Sequence, residues 1–188
     1  MAYAAVNGLN MYYEVHGEGP PLLSLHGGAG SINPASTAIP FFETQFRVIA
    51  IEQMGHERTA DVIDRPFHYH DMAEDTVELM RQLGIESASV LGYSDGGIIG
   101  LDMAIHHPER VTNLAVTGAN SRTDGYTAEK LEWVRTFIPM TSRYPTPTPA
   151  YLPTVQTIGP SSSDVFSACG PWNQASHASN CIASKRPP

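Results

Sequence analysis

Five residues, Gly92-Tyr93-Ser94-Asp95-Gly96, stand between the short apolar run Ala88-Ser-Val-Leu91 and a stretch of helical spacing that Pro108 closes. A strand that passes directly into a helix has to bend sharply, and a side chain two residues to either side of the bend would collide with the turn. Gly92 and Gly96, backed by Gly97, meet that steric demand. The central Ser94 is then expected at positive φ, a strained conformation for a residue with a Cβ.

The rest of the first 138 residues fits the same alternation. Met11–Val15, Pro21–Leu25, Arg47–Ile51, Ala88–Leu91 and Val111–Ala119 read as short strands bounded by turn residues. Asp71 with Glu74 three residues on predicts a capped helix start, followed by Met72, Asp75 or Thr76, Leu79 and Leu83 at helical spacing and a stop at Gly84. A second helix is expected from Ser94 to His107 and a third from Thr127 to Phe137. Strands alternating with crossover helices define an α/β fold: a mostly parallel sheet covered on both faces, three layers in all. Ligand sites in such sheets gather at the carboxyl ends of the strands. Two glycine-rich turns fall there, one after Leu25 and one after Leu91.

Beyond Ile138 the composition changes. Nine of the 15 prolines lie between Pro139 and Pro188, and Asp164 is the one acidic residue there. Prolines at 145, 147 and 149 forbid a regular helix, so 1–138 is expected to be the core and 139–188 an irregular or disordered tail. The sheet would then be incomplete on its C-terminal side. The Val111–Ala119 strand would be left as an open edge, able to support a homodimer. A net charge of -8 with scattered basic residues argues against nucleic acid and anionic membranes as partners. The absence of a leader pattern or a long apolar run leads to an expectation of a soluble, cytoplasmic protein.

For acyl transfer, Ser94 is the candidate nucleophile, and the oxyanion formed in the reaction needs two preorganised N–H donors. The backbone N–H groups of Gly28, in His26-Gly27-Gly28-Ala29-Gly30, and of Asp95 are the candidates, with their side chains nearly irrelevant to the role. His26 is expected to orient the loop through a hydrogen bond. Two plainer readings stay open: Ser94 as a simple helix cap, and the glycines as an ordinary turn or an anion cradle.

Taken together, Asn7-Gly8 with Tyr12-Tyr13, His-Gly-Gly at 26–28, the Gly55 loop, Gly-x-Ser-x-Gly at 92–96 and His-Pro-Glu-Arg-Val at 107–111 resemble the α/β-hydrolase fold superfamily, in its serine esterase and amidase branch. The resemblance runs from Gly8 to Asn120. It implies Ser94 as nucleophile, Gly28 and Asp95 as oxyanion hole, a small-molecule substrate and no cofactor.

The chain departs from that pattern in two places. Glu57 occupies a loop position where the family commonly has a small residue. The family also places an acid and then a histidine after later strands that this sequence does not plainly contain. Asp164 and His177 have the right order and are the candidates for those roles. His106 and His107 lie roughly 18 Å along the helix from Ser94 at about 1.5 Å per residue, and are expected at the surface. His68 and His70 suggest a metal pair with no evident third ligand. The competing functional reading is a non-catalytic or truncated hydrolase-fold protein, with a binding module using the pocket or the open edge as a third.

Overall fold

The computed structural model of the protein describes residues 1–32, 38–120, 127–129, 132 and 180–184. In chain order the elements are β1 (Ala2–Val6), β2 (Leu9–His16), β3 (Pro21–Leu25), α1 (Ala38–Phe42), β4 (Arg47–Ile51), α2 (Tyr69–Gln82), β5 (Ala88–Tyr93), α3 (Asp95–His106), β6 (Val111–Thr117) and β7 (Asn180–Ser184). They form one sheet in the order β1-β2-β4-β3-β5-β6-β7. The inner pairs β4/β3, β3/β5 and β5/β6 are parallel, whereas β1/β2, β2/β4 and β6/β7 are antiparallel. The expected mostly parallel centre is present, with antiparallel strands added at both sides.

Period-two alternation sorts side chains onto two faces. Along β4, Ile49 and Ile51 join one buried cluster with Leu23, Leu25, Val90, Leu79, Met80 and Met103, while Val48 and Ala50 join another with Leu22, Tyr12 and Ile39. Helices α2 and α3 therefore cover the first face and α1 the second, which gives the three-layer arrangement. Among the described residues no helix is long and apolar enough to cross a membrane.

Strands β3 and β4 have the bounds read from the sequence. Besides β7, the elements β1 and α1 were not anticipated: Ala2–Val6 owes its strand to the Asn7-Gly8 turn, with both residues at positive φ, which folds it back on β2. The Asp71 cap is corrected, because the cap position falls three residues earlier at His68, which makes no side-chain cap bond, and Asp71 sits in the first helical turn. There its charge still suits the positive end of the helix dipole. Of the helix expected over 127–137, residues 128, 129 and 132 are helical, and the remaining positions outside 127–129 and 132 are not described.

The largest difference is β7. Its five residues lie within the stretch read as irregular, yet they pair with β6 from Asn113↔Ser184 to Thr117↔Asn180. The edge expected to be open is filled from within the chain, so a homodimer through β6 has no free ladder to use. The sequence Asn-Cys-Ile-Ala-Ser carries little strand signal by itself, but an unpaired β6 would offer backbone partners to any extended segment. The rest of 139–188 lies outside the described residues.

Glu57, the family departure, lies in a tight loop at φ 41 and is exposed. The left-handed region costs a residue with a Cβ about 1–2 kcal/mol, partly offset by the greater entropy glycine loses on folding. Glu57→Gly is therefore expected to raise stability by about 0.5–1 kcal/mol, read as a Tm gain of a few degrees. A lower Tm would mean that the glutamate side chain makes a stabilising contact.

Candidate active site

Strand β5 ends at Tyr93 and α3 begins at Asp95, so Ser94 alone makes the turn, with φ 51 and ψ -114. Its N–H donates to Thr117 O on β6 at 2.8 Å, and its carbonyl accepts from the N–H groups of Gly97 and Ile98 at 2.9 and 3.1 Å. Ser94 occupies the cap position but makes no side-chain cap bond, so the plain helix-cap reading is not what the structure presents. The glycines are there for room: a Cβ on Gly92 would stand 2.6 Å from Gly97 Cα, and one on Gly96 would stand 2.6 Å from His26 O. Both distances are below what real Cβ atoms tolerate, so the sequence demand at 92 and 96 is met by close backbone packing.

The loop after β3 lies directly against this turn. A Cβ on Gly27 would be 3.2 Å from Ser94 Cβ and 2.8 Å from the Tyr93 ring, and one on Gly28 would overlap the Asp95 carboxylate. Gly30 N–H donates to Gly27 O at 3.0 Å, with Ala29 at φ 54 completing the turn. His26 holds the loop in the way the sequence suggested. One ring nitrogen, Nδ1, lies 2.8 Å from Gly27 O, and the other, Nε2, accepts from the Gln53 N–H at 3.2 Å. Only the neutral ring with its proton on Nδ1 satisfies both partners. Burial, helped by the neighbouring His56 ring at 4.7 Å, pushes the His26 pKa down to about 4.

That shift carries a pH consequence. An unfolded His26 takes up a proton below its ordinary value of 6.5, whereas the folded ring resists until about 4. Stability supplied by the neutral ring is thus complete above 6.5 and is lost as pH falls towards 4, by at most about 3 kcal/mol. Denaturant unfolding at pH 7 and pH 4.5 is expected to show a smaller difference in His26→Gln than in the unaltered protein; an equal difference would assign the acid sensitivity elsewhere.

The structure thus brings Ser94, Gly28 and Asp95 together. Asp164 and His177 lie outside the described residues. The Asp95 side chain has surroundings of its own, apart from the backbone N–H expected to serve the oxyanion. Its carboxyl packs on Gly28, burial pushes its pKa up, and a hydrogen bond from Tyr69 together with the charge of His56 partly offsets that rise. Tyr69, the first residue of α2, was missed because nothing in sequence periodicity ties a helix start to a turn 25 positions later in the chain. A cavity of about 560 Å³ opens beside the turn, bounded by Ile32, Ile39, Phe42, Leu91, Gly28 and Tyr93. Its walls are chiefly apolar, and it borders the Ser94 turn without Ser94 in its lining.

Beneath the loop lies a charged network that the sequence did not disclose. Glu52, fully buried at the end of β4, takes the Arg58 side chain and the backbone N–H groups of Ile32 and Arg58. Arg58 also reaches Glu14 Oε1 at 3.2 Å and lies 3.9 Å from the Tyr12 ring centre. The loop around Glu57 is thereby tied to β2 and β4.

The profile of the alpha/beta hydrolase fold family matches residues 20–147, and the chain belongs to that family. It is 35% identical over 129 residues to RutD, a candidate carbamate hydrolase of Azorhizobium caulinodans, an alignment covering 67% of this chain and 47% of that protein. Among solved structures, it is similar to the enol-lactonase from Burkholderia xenovorans, with 26% identity and a TM-score of 0.61 over 64% of this chain and 47% of the lactonase. A marine microorganism esterase matches with 26% identity and a TM-score of 0.64 over 72% of this chain and 51% of the esterase. The chain spans about half the length of the curated relatives it matches.

Proposed function

We propose that this chain carries the nucleophile side of a serine hydrolase acting on a small ester or amide. The observation that bears most weight is Ser94 at φ 51 with the Gly27-Gly28 backbone packed against it. In the proposed reaction the Ser94 oxygen adds to the substrate carbonyl as a base takes its proton. The carbonyl electrons move onto oxygen, which the N–H groups of Gly28 and Asp95 stabilise. As the first residue of α3, Asp95 has no intrahelical acceptor for its N–H, which leaves that group available for the role. Collapse expels the alcohol or amine with the proton returned by the base, and water then cleaves the acyl-enzyme by the same steps. No cofactor is needed.

His177 is proposed as the base and Asp164 as its orienting acid. Support comes from register: Asn180 pairs with Thr117, and Thr117 pairs with Tyr93, the residue before Ser94. His177 is three positions from Asn180, and three residues span at most about 11 Å. A base at 177 is therefore within chain reach of the carboxyl end of β5.

The competing reading is a hydrolase-fold protein without turnover, favoured by a cavity that borders the turn without Ser94 in its lining. Labelling with a fluorophosphonate probe separates the two. The unaltered chain is expected to label and Ser94→Ala is not; equal labelling of both would remove Ser94 from the chemistry, and no labelling of either would favour the competing reading.

A further inference from the structure

Away from the Ser94 turn, helices α2 and α3 lie side by side and bring together two imidazoles and a carboxylate. His70 is in the first turn of α2, and Asp102 and His106 stand one turn apart on α3. Asp102 Oδ1 is 2.9 Å from His70 Nδ1 and 3.1 Å from His106 Nδ1, and the two rings are 4.7 Å apart, centre to centre. Along the sequence, His70 has His68 close by and no evident third donor. Packing of the helices supplies that donor and one more.

The geometry points to a divalent transition-metal site of the zinc type formed by His70, Asp102 and His106. One ligand atom from each residue lies within 4.8 Å of the others. Bonds of about 2.0–2.1 Å in a tetrahedron place ligand atoms roughly 3.4 Å apart, so the two contacts to Asp102 are already near that spacing. Both histidines are about half exposed, at 48% and 49%, and their rings are free to close the remaining gap. Two imidazoles with one carboxylate favour zinc and its neighbours over magnesium or calcium, which take oxygen ligands. Three protein ligands leave the fourth position to water.

An outer partner is also in place. Glu74, one turn after His70 on α2, has Oε1 3.9 Å from His70 Nε2, the nitrogen left over when Nδ1 binds metal. A carboxylate behind a ligating histidine fixes the ring and raises its basicity. Glu74 is shared with His107, whose Nε2 lies 2.6 Å from the same oxygen. The plainer alternative is a clasp in which both rings donate to Asp102 and join the helices without a metal. Asp102 is eight residues beyond Ser94, roughly 12 Å along α3 at about 1.5 Å per residue, so a bound ion would staple the two helices and take no part in acyl transfer.

The test is titration of the full chain with zinc chloride, followed by calorimetry and by the ring-nitrogen resonances of the histidines. A single zinc is expected to shift the Nδ1 signals of His70 and His106 together and to raise Tm, while magnesium chloride does neither. His70→Ala and His106→Ala are each expected to weaken zinc binding at least as much as loss of an outer-sphere partner does, roughly 10- to 100-fold. His68→Ala, which lies outside the cluster, is expected to leave it unchanged. Zinc affinity equal in all four proteins, zinc shifts confined to other histidines, or no zinc binding by the unaltered chain would overturn the assignment. The resonance shifts are read on the unaltered protein, so they decide the matter even if a substitution were to disturb the fold.

Discussion

Turnover of a short-chain aryl ester is expected to fall on the order of 10⁶-fold when His177 is replaced by alanine. In a serine mechanism the nucleophile and the base act as one unit, and loss of either alone removes nearly all of the advantage they supply together. Residual catalysis of about 10³- to 10⁴-fold over water would persist from the oxyanion donors and substrate binding. Measurement of kcat for the unaltered chain, Ser94→Ala, His177→Ala and the double variant checks this directly, with equal losses in the three variants as the expected pattern. A His177→Ala protein that keeps its kcat while Ser94→Ala loses it would move the base to another residue.

The second large effect concerns stability. Glu52→Ala is expected to destabilise the fold by about 3–5 kcal/mol, the range for breaking a buried ion pair by removing one partner. Three groups lose their acceptor at once: the Arg58 guanidinium and the backbone N–H groups of Ile32 and Arg58. Because Arg58 is partly exposed and water can reach it, the two backbone donors should account for much of the loss. Burial alone would raise the Glu52 pKa, but the hydrogen bonds from the Arg58 side chain and backbone outweigh it and leave the carboxyl below its ordinary 4.5. Glu14 behaves alike, with burial opposed by Tyr12, His16 and Arg58 and a net lowering. For groups lowered in the folded state, the stabilisation is complete above about 4.5 and disappears as pH falls through the folded values. Urea unfolding of Glu52→Ala at pH 7 measures the first effect, and a weakened acid dependence below 4.5 measures the second. A loss under 1 kcal/mol would mean that water replaces the carboxylate at little cost.

Much of the central fold was legible because strand runs such as Pro21–Leu25 and Arg47–Ile51 carry their own period and their own turn residues. The Ser94 turn was legible for a related reason: a steric demand confined to five consecutive residues leaves its mark in those residues. What escaped detection depended on groups distant in sequence. Tyr69 meets Asp95, Glu52 meets Glu14 through Arg58, and Asp102 meets His70 only because the sheet and its helices bring them into contact. No local pattern encodes such meetings. Strand β7 was hidden for a further reason, since its pairing is drawn from the vacant side of β6 more than from its own composition. The Asp71 misplacement shows the reverse error, in which a good local cap signal lost to packing that extended the helix by three residues.

The β6–β7 ladder joins positions on opposite sides of a long intervening stretch of chain. Contacts of such wide sequence separation form late, because the entropy of closing the loop must be met before any bond in the ladder is gained. A nascent or partly refolded molecule would thus expose the flank of β6 for longer than any other part of its sheet. Protein held dilute while it refolds should give the higher yield of monomer, since intramolecular closure then outpaces capture by a neighbouring molecule.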